Sequence, residues 1–399
     1  MRILMLNRRD SRNPEGGGSE IYLERVASGL VSRGHDVTIF CSEYEDSVRT
    51  ETVDGVRFIR RGSKLGVHGE AIREIRDQVR RGLDIIVDVQ NGIPFFSRLA
   101  APRTPSVVLV HHLHREQWPV VYEPTRARIG WFIESRVSPS LYRNRQYIAV
   151  SEHTRDELID LGVEGSQIDI VPNGVDKPTI PLPQKSNRSH PTITVLGRLV
   201  PHKQVEHALV AAQALRTEIP DLRVDVIGDG WWSDRLREFA VTSGIDDITT
   251  FHGFIESSRK QQLLAETTVL AMPSLKEGWG QVIMEAAAFG VPAVGYRSAG
   301  GVANSISDGR TGLLVGPSQA EFTAALRTLL MQEKTRTMFG KAARSRCADF
   351  SWDQTIASFE NSLAKSLGLP PATVRLPEAR TIQIPTQHQT TKSRRTFGG

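Results

Sequence analysis

Cysteine is nearly absent from this sequence of 399 residues, which contains only Cys41 and Cys347. The two are far apart and fit no metal-ligand spacing, which argues against a disulfide framework and indicates a reducing compartment. No apolar run approaches the roughly eighteen residues of a membrane-spanning helix, and the run within "MRILMLN" is too short for a signal peptide. We therefore expect a cytoplasmic protein that could contact the inner face of a membrane only peripherally.

Two further patterns are missing. The sequence has no Asp-x-Asp triplet, so we expect no metal site of that type and no metal requirement. It also lacks the spaced G-x-G-x-x-G fingerprint with an acidic ribose ligand, which disfavours an NAD-dependent oxidoreductase without removing it as an alternative. The formal charge of +5 suits acidic partners, but the basic residues are dispersed and no nucleic-acid-binding motif accompanies them.

Short apolar runs alternate with helical patterns along most of the chain. In the first half, runs such as "RILMLN", "DVTIF" and "SVVLVH" predict strands, and their unbroken apolar character is typical of a parallel sheet covered on both faces. The alternation restarts at "TITVLGRL" and continues to "TGLLV". This pattern predicts an α/β fold with two doubly wound, Rossmann-like domains separated by a cleft.

Composition gives the domain boundaries. We predict a first domain over 1–176, a second over 192–350, and a last helix over 351–368 that packs back on the first domain. The segment 177–191 is rich in proline and polar residues and is predicted to be a linker. Residues 369–399 are dominated by Pro, Thr and Gln, and we predict a disordered tail.

Two loops follow predicted strands and could bind an anion. "PEGGGSE" (14–20) leads into a helix whose N-terminal N–H groups favour a phosphate, with Ser19 as the predicted cap, although a plain flexible turn remains open. "LGRLVPHK" (196–203) places Arg198 and Lys203 at the carboxyl end of a strand, where two cations can neutralise a diphosphate. A charged loop facing solvent is the alternative.

The stretch "KEGWGQVIME" (276–285) forms a glycine-rich turn between a strand and a helix. Gly278 and Gly280 would allow the backbone to approach a ligand closely. Glu277 and Glu285 are on the order of 12 Å apart if the segment is helical, which is too far to share a proton. We expect them to contact different parts of one extended ligand, with a buried structural role for Glu285 as the alternative.

These stretches, with "MPS", "VIGDG", "FHGFI" and "IVPNGVD", occur in the order seen in retaining nucleotide-sugar glycosyltransferases of family four, and the chain resembles that family from residue 1 to about 368. The resemblance implies the GT-B fold. It implies catalytic roles for His111, Arg198, Lys203 and Glu277, with His112 and His114 as rivals of His111 for the histidine beside the anomeric carbon. It implies donor binding by Gly17, Gly18, Gly197, Ile255, Gly278, Trp279, Gly280, Gln281 and Glu285.

The resemblance also implies a reaction. A hexose would pass from a nucleotide diphosphate sugar to a hydroxyl of a glycan, lipid-linked or small-molecule acceptor, with retention of configuration and without a metal or other cofactor. Polysaccharide biosynthesis for the cell envelope or an exopolysaccharide is the expected setting. Epimerisation or phosphorolysis of a nucleotide sugar on the same fold remains an alternative.

The acceptor side is predicted less sharply. "EAIREIRDQVRRG" (70–82) is a basic helix that could dock on an anionic membrane, although a solvated face is the simpler interpretation. Trp118 and Trp131 could line an acceptor groove or could belong to the core.

Overall fold

A computed structural model describes residues 1–63, 66–181 and 190–370 of the protein. Most of the predicted linker and nearly all of the predicted tail lie outside these residues. Within the described residues, no helix is both long enough and apolar enough to span a bilayer.

The first half of the chain forms an eight-stranded sheet with the order β3-β4-β2-β1-β5-β6-β7-β8. All neighbouring strands are parallel except β3 and β4, which are antiparallel. The strands are β1 (Arg2–Leu6), β2 (Asp36–Cys41), β3 (Thr50–Val53), β4 (Val56–Arg60), β5 (Ile85–Gln90), β6 (Ser106–Val110), β7 (Gln146–Ala149) and β8 (Ile168–Ile170).

The apolar runs of the sequence do not predict two short edge strands, β3 and β8. Strand β3 alternates between exposed and half-buried residues, so it has no continuous apolar stretch. A local signal for it does exist, because Asp54 and Gly55 both have positive φ (51° and 78°) in the two-residue turn that joins β3 to β4.

Helices cover both faces of this sheet. They are α1 (Gly18–Ser32), α2 (Val67–Arg80), α3 (Ser97–Ala100), α4 (Trp118–Val121), α5 (Pro124–Phe132), α6 (Ser138–Leu141) and α7 (Glu152–Asp160). A π-helical turn, Ile133–Val137, joins α5 to α6. The predicted cap of α1 is wrong: Gly17 occupies the N-cap, and the Ser19 hydroxyl donates instead to Glu20 Oε2 at 2.8 Å.

The second half forms a six-stranded sheet with the order β11-β10-β9-β12-β13-β14, parallel throughout. Its strands are β9 (Thr192–Leu196), β10 (Arg223–Ile227), β11 (Thr249–Gly253), β12 (Val269–Met272), β13 (Ala293–Tyr296) and β14 (Gly312–Val315). Its helices are α8 (Val205–Leu215), α9 (Ser233–Thr242), α10 (Ser257–Glu266), α11 (Gln281–Ala288), α12 (Val302–Ser305), α13 (Gln319–Met331) and α14 (Glu333–Cys347).

Strand β6 illustrates why the apolar runs become central strands. All five of its residues are buried. Val107 and Leu109 join the core beneath α1, whereas Val108 and Val110 pack with Tyr142 on the opposite face. Because successive side chains of a strand point to opposite faces, a strand covered on both sides needs an unbroken apolar run. The predicted α/β architecture with two Rossmann-like domains is confirmed.

The last helix, α15 (Trp352–Ser366), packs against α1 of the first half. Glu360 accepts hydrogen bonds at 2.8 Å from Arg33 Nη1 and at 2.7 Å from His35 Nε2. Gly29 allows the two helices to touch, because a Cβ at this position would lie 2.2 Å from Ile356 Cδ1. The last described helix therefore packs on the domain formed by the first half of the chain.

Candidate active site

In each sheet, the candidate site lies at the carboxyl ends of two neighbouring central strands whose connections run in opposite directions along the sheet. In the second sheet, β9 leads to β10 on one side while β12 leads to β13 on the other, so a crevice opens between their carboxyl ends. A pocket at this point is lined by Arg198 and Lys203 after β9 and by Ser274 after β12. In the first sheet the equivalent divergence is between β1 and β5, and the glycine loop follows β1.

An ion pair between Lys203 Nζ and Glu277 Oε1 joins the two predicted donor loops. Both side chains are largely buried, with 21 % of Lys203 and 14 % of Glu277 exposed. The backbone strengthens this junction, since Leu275 N donates to the His202 carbonyl at 2.8 Å. The structure thus brings together two residues that are far apart in sequence and were predicted to serve the same donor.

Arg198 reaches across the cleft to the glycine loop. Its Nη1 donates to the Glu15 carbonyl at 2.7 Å, and a Cβ on Gly17 would lie 3.8 Å from its Nη2. Solvent still reaches the side chain, but partial burial and the nearby Arg9 guanidinium lower the pKa of Arg198. Two guanidiniums crowded together in this way favour an anion between the loops.

Three glycines in or beside these loops have different surroundings. Gly197 has φ +148°, a conformation that other residues rarely adopt. Gly18 opens onto free space, since a Cβ placed there would meet no atom within 4 Å, whereas a Cβ on Gly228 would lie 2.0 Å from the Gly197 carbonyl oxygen. The turn between β1 and α1 therefore leaves room for a ligand at Gly18. The turn after β9, in contrast, packs tightly against Gly228.

The "KEGWG" turn of the second half packs directly against the first half. A Cβ on Gly278 would lie only 2.2 Å from the His111 carbonyl oxygen. Gly280, with φ +81°, is the N-cap of α11, so the free N–H groups of this helix begin at the cleft. Gln281 Nε2 donates to the Gly174 carbonyl at 3.2 Å, which adds a second contact across the halves.

Trp279 differs from its glycine neighbours because its side chain points into the second domain. The ring is 7 % exposed and meets Phe350 edge-to-face, with 5.1 Å between ring centroids. Its carbonyl accepts a hydrogen bond from the Ser305 hydroxyl. The indole is therefore packed inside the second domain, and the contact of the Trp279 backbone with a nucleotide sugar stays a prediction.

The remaining predicted donor residues lie further along the same domain. Glu285, inside α11, forms an ion pair with Lys260 of α10 at 2.8 Å. Ile255 is half-buried in the irregular segment after β11. Glu277 and Glu285 have different lysine partners, and their roles toward different parts of a donor stay predictions.

The three candidate histidines occupy different surroundings. His111 is buried edge-to-face against Tyr22, with 5.2 Å between ring centroids, and its Nε2 has no hydrogen-bond partner among the described residues. Burial, with a smaller contribution from His114, lowers the pKa of His111 to about 4. The His112 and His114 rings lie beside each other, 4.4 Å between centroids. The choice of the catalytic histidine stays a prediction.

Sequence inspection missed Glu134, which orients His114. This carboxylate, in the π-helical turn, is fully buried. It accepts hydrogen bonds from His114 N at 3.2 Å, from His114 Nδ1 at 3.0 Å and from Trp118 Nε1 at 2.8 Å. Because Nδ1 is held by Glu134, the ring can offer only Nε2 to a ligand. A lone acid within the apolar stretch "IGWFIESRV" was the available signal.

Lys276 was also missed, although it precedes Glu277 directly. It is 4 % exposed, forms an ion pair with Glu157 of α7, and lies 3.0 Å from His153 Nε2. Burial alone would raise the pKa of Glu157, but hydrogen bonds from His153 and Lys276 outweigh it and lower that pKa. The buried lysine therefore ties the donor loop to the first domain.

Metal ligands are not grouped in the part of the chain that the structure describes: no cluster of three or more His, Cys, Asp or Glu side chains there could hold an ion. The local positive charge comes from Arg198, Lys203 and the start of α11.

Comparison with known families and proteins gives consistent results. Residues 16–177 match the family described as Glycosyltransferase Family 4, and residues 176–346 match Glycosyl transferases group 1. The chain is similar to D-inositol 3-phosphate glycosyltransferase of Paenarthrobacter aurescens, with 31 % identity over 86 % of this chain and 91 % of that protein. It is 26 % identical to a GDP-mannose-dependent alpha-(1-6)-phosphatidylinositol monomannoside mannosyltransferase of Mycobacterium tuberculosis, over 88 % of this chain and 95 % of that protein.

Solved structures share the fold. Sucrose-phosphate synthase from Thermosynechococcus elongatus superimposes with a TM-score of 0.75 at 19 % identity, covering 90 % of this chain and 97 % of that one. Anabaena Alr3699/HepE, solved in complex with UDP-glucose, gives a TM-score of 0.70 at 19 % identity, covering 92 % and 99 % of the two chains.

Proposed function

Because the chain belongs to the family 4 glycosyltransferases and has their two-domain GT-B fold, we propose that it is a retaining hexosyltransferase that uses a nucleotide diphosphate sugar. The relatives support the donor class: the mannosyltransferase is named for GDP-mannose, and Alr3699/HepE was solved with UDP-glucose. The family assignment argues against an NAD-dependent oxidoreductase.

The convergence of cationic groups at one cleft edge carries this proposal. Arg198 and Lys203 line the pocket after β9, and Lys203 pairs with Glu277 in the turn that leads into α11. The glycine loop of the first domain approaches Arg198, since a Cβ on Gly17 would lie 3.8 Å from its Nη2. A diphosphate bound there would accept hydrogen bonds from guanidinium, ammonium and helix N–H groups. Glu277, held against Lys203, would then face the sugar hydroxyls rather than the phosphates.

In the proposed reaction, the acceptor hydroxyl oxygen attacks the anomeric carbon on the face that the phosphate leaves. The bond from this carbon to the phosphate oxygen breaks, and its electron pair departs with the nucleoside diphosphate. The acceptor proton passes to that leaving phosphate, so no other base is needed. Arg198 and Lys203 stabilise the charge that develops on the diphosphate.

We propose that this charge stabilisation needs no metal or other cofactor. A cation and the positive end of a helix can supply the electrostatic role that a divalent ion has in other transferases. Full activity after treatment with EDTA would support the proposal.

The proposed acceptor is a hydroxyl of a glycan, a lipid-linked sugar or a small molecule in cell-envelope or exopolysaccharide synthesis. The names of the two relatives, which include inositol phosphate and phosphatidylinositol acceptors, support this class. We propose a cytoplasmic location with peripheral contact to the inner face of the membrane. Product analysis separates transfer from epimerisation or phosphorolysis, since only transfer yields a glycosylated acceptor.

Thermal shift with a panel of nucleoside diphosphates and diphospho-sugars tests the donor site. We expect one nucleotide sugar to stabilise the wild type, with or without EDTA. Arg198→Ala and Lys203→Ala should abolish the shift and lower kcat by about a hundredfold or more, because each removes a cation from the developing charge.

Two control variants each remove one ion-paired lysine or arginine outside the candidate site. Lys365→Ala removes a partner of Asp169, and Arg216→Ala removes a partner of Asp247, and both pairs lie outside the candidate site. Both controls should keep the donor-induced shift. Equal loss in the controls, or stabilisation of the wild type by NAD alone, would contradict the proposed function.

A further inference from the structure

Five large apolar side chains are exposed on α4, on α5 and at Tyr122 in the two-residue connection between them. Val121 is 54 % exposed, Ile129 55 % and Phe132 60 %, and Val120 and Tyr122 are also exposed. Single exposed apolar residues are ordinary, but several on two helices that contact each other are a candidate interaction surface. We call these five residues, with the exposed Arg126, Arg128 and Arg136, the hairpin surface.

The orientation of α5 is fixed by packing on its inner face. Ala127 and Gly130 are buried there, and a Cβ on Gly130 would lie 2.5 Å from the Trp118 ring. Trp118 is itself held by its hydrogen bond to the buried Glu134. Since α5 cannot turn without breaking these contacts, Ile129 and Phe132 are held outward.

The charges of the hairpin surface are of one sign. Between residues 118 and 136, Glu123 is the one exposed acidic residue, against Arg126, Arg128 and Arg136. Within the described parts of the chain, none of these three arginines forms an ion pair. Their positive charge is therefore available to an external anionic partner.

Helix α2, for which the sequence left membrane docking and a solvated face open, differs from the hairpin surface in both its charge and its exposed apolar residues. Its arginines are partly neutralised, because Arg73 pairs with Glu70 and Arg81 pairs with Asp77. Three of its apolar residues, Val67, Ala71 and Ile75, are fully buried in the core. The other two, Ile72 and Val79, are 36 % and 40 % exposed.

We propose that the hairpin surface, rather than α2, docks the protein on an anionic lipid bilayer. Phe132, Ile129 and Val121 enter the boundary between headgroups and acyl chains, and the arginines contact lipid phosphates. This inference deepens the membrane contact of the proposed function. Because α4 begins shortly after His114, docking there would present the cleft to an acceptor held in the same bilayer.

Flotation of the full-length protein with vesicles tests the proposal. The vesicles contain phosphatidylcholine alone or phosphatidylcholine with about a third phosphatidylglycerol, an anionic content at which basic residues near the surface contribute to binding. The wild type should float with the anionic vesicles only. Ile129→Ser/Phe132→Ser should reduce the bound fraction at least about tenfold, because two apolar side chains no longer leave water.

The matched control is Ile72→Ser/Val79→Ser, which removes two exposed apolar side chains from α2 and should leave binding within about twofold. A second pair of variants tests the contribution of the positive charges. Arg126→Gln/Arg128→Gln, in α5, should weaken binding to anionic vesicles, whereas Arg73→Gln/Arg76→Gln, in α2, should not. Retained binding in the α5 variants with loss in the α2 variants would overturn the proposal, as would no flotation of the wild type.

Two further measurements keep the outcome unambiguous. The donor-induced thermal shift, measured without vesicles, should be unchanged in the α5 variants, so a folding defect or a failed donor assignment would be seen separately. Gel filtration with light scattering tests self-association. A wild-type dimer that becomes monomeric in Ile129→Ser/Phe132→Ser, without vesicle binding, would assign the surface to a second copy and overturn the proposal.

Discussion

At the scale of single residues, three neighbouring histidines acquire different properties from their surroundings. His111 faces Tyr22 in the core, His112 contacts Gln117, and His114 is held by Glu134. Burial lowers the pKa of both His111 and His202 to about 4. A sequence motif that contains several histidines thus specifies a location, whereas the protein environment specifies which ring can exchange a proton.

The shifted pKa of His111 predicts a pH dependence of stability. The unfolded chain binds this proton near pH 6.5, but the folded chain binds it only near pH 4, so unfolding takes up a proton between these values. The free energy of unfolding should therefore fall as the pH decreases from 6.5 to 4, by at most about 1.4 kcal/mol per pH unit from this residue.

Urea denaturation at pH 5 and pH 7 measures this effect. His111→Phe, which keeps an apolar ring against Tyr22, should show a smaller loss of stability at pH 5 than the wild type, and His202 should account for part of what remains. An identical pH dependence in the wild type and His111→Phe would show that His111 is not buried in its neutral form.

At the scale of secondary structure, the π-helical turn Ile133–Val137 holds together the loop after β6 and the start of α4. It directs the Glu134 carboxylate inward, toward the loop after β6 and the start of α4. A π turn within an α-helix is frequent at functional sites, because the widened turn re-aims a side chain. Helices α4 and α5, and with them the hairpin surface, depend on this one buried group.

Glu134→Ala should destabilise the protein by roughly 3 kcal/mol, because it removes the acceptor of three donors on two half-buried residues: His114 N, His114 Nδ1 and Trp118 Nε1. Denaturant unfolding measures the difference. Glu123→Ala is the control, since Glu123 is an exposed acid in the same stretch with no side-chain cap hydrogen bond, and it should change stability by less than about 0.5 kcal/mol. Equal effects of the two variants would argue against the organising role of Glu134.

At the scale of the whole molecule, the two domains meet in a closed arrangement. Lys276 joins Glu157, Arg198 joins the Glu15 carbonyl, and Gly278 meets the His111 carbonyl. These contacts all involve the loops that would bind the donor. We therefore expect that separating the two domains would also separate the loops of the candidate site.

Gly278→Ala should prevent this closure, because its Cβ would lie 2.2 Å from the His111 carbonyl oxygen, a backbone atom that cannot move aside alone. We expect transfer activity to fall by about a hundredfold, since the site would be displaced by an ångström or more. Small-angle scattering should show a larger radius of gyration than for the wild type.

Gly69→Ala, in α2, is the control for this substitution, because a Cβ at that position meets no atom within 4 Å. It should leave both activity and radius of gyration unchanged. Full activity of Gly278→Ala would show that the reaction does not require the approach of these two backbones.

The sequence by itself determined the two mostly parallel sheets and the candidate loops that follow their strands. Buried strands require unbroken apolar runs, and ligand loops follow the carboxyl ends of strands, so both features can be recognised locally. Arg198, Lys203, Glu277 and Gly278 were identified in this way. Short exposed strands such as β3 were missed because they bury too little to leave an apolar run.

Only the tertiary structure decided which side chains meet across the cleft. The partners Lys276 and Glu157, Gly278 and His111, and Glu134 and His114 come from different loops or helices, and no local pattern encodes their distances. The same holds for the hairpin surface, where the apolar residues of α5 resemble core residues until the packing of Gly130 on Trp118 turns them outward. Burial and pairing depend on the whole fold, because a side chain's surroundings are supplied mostly by residues distant in sequence.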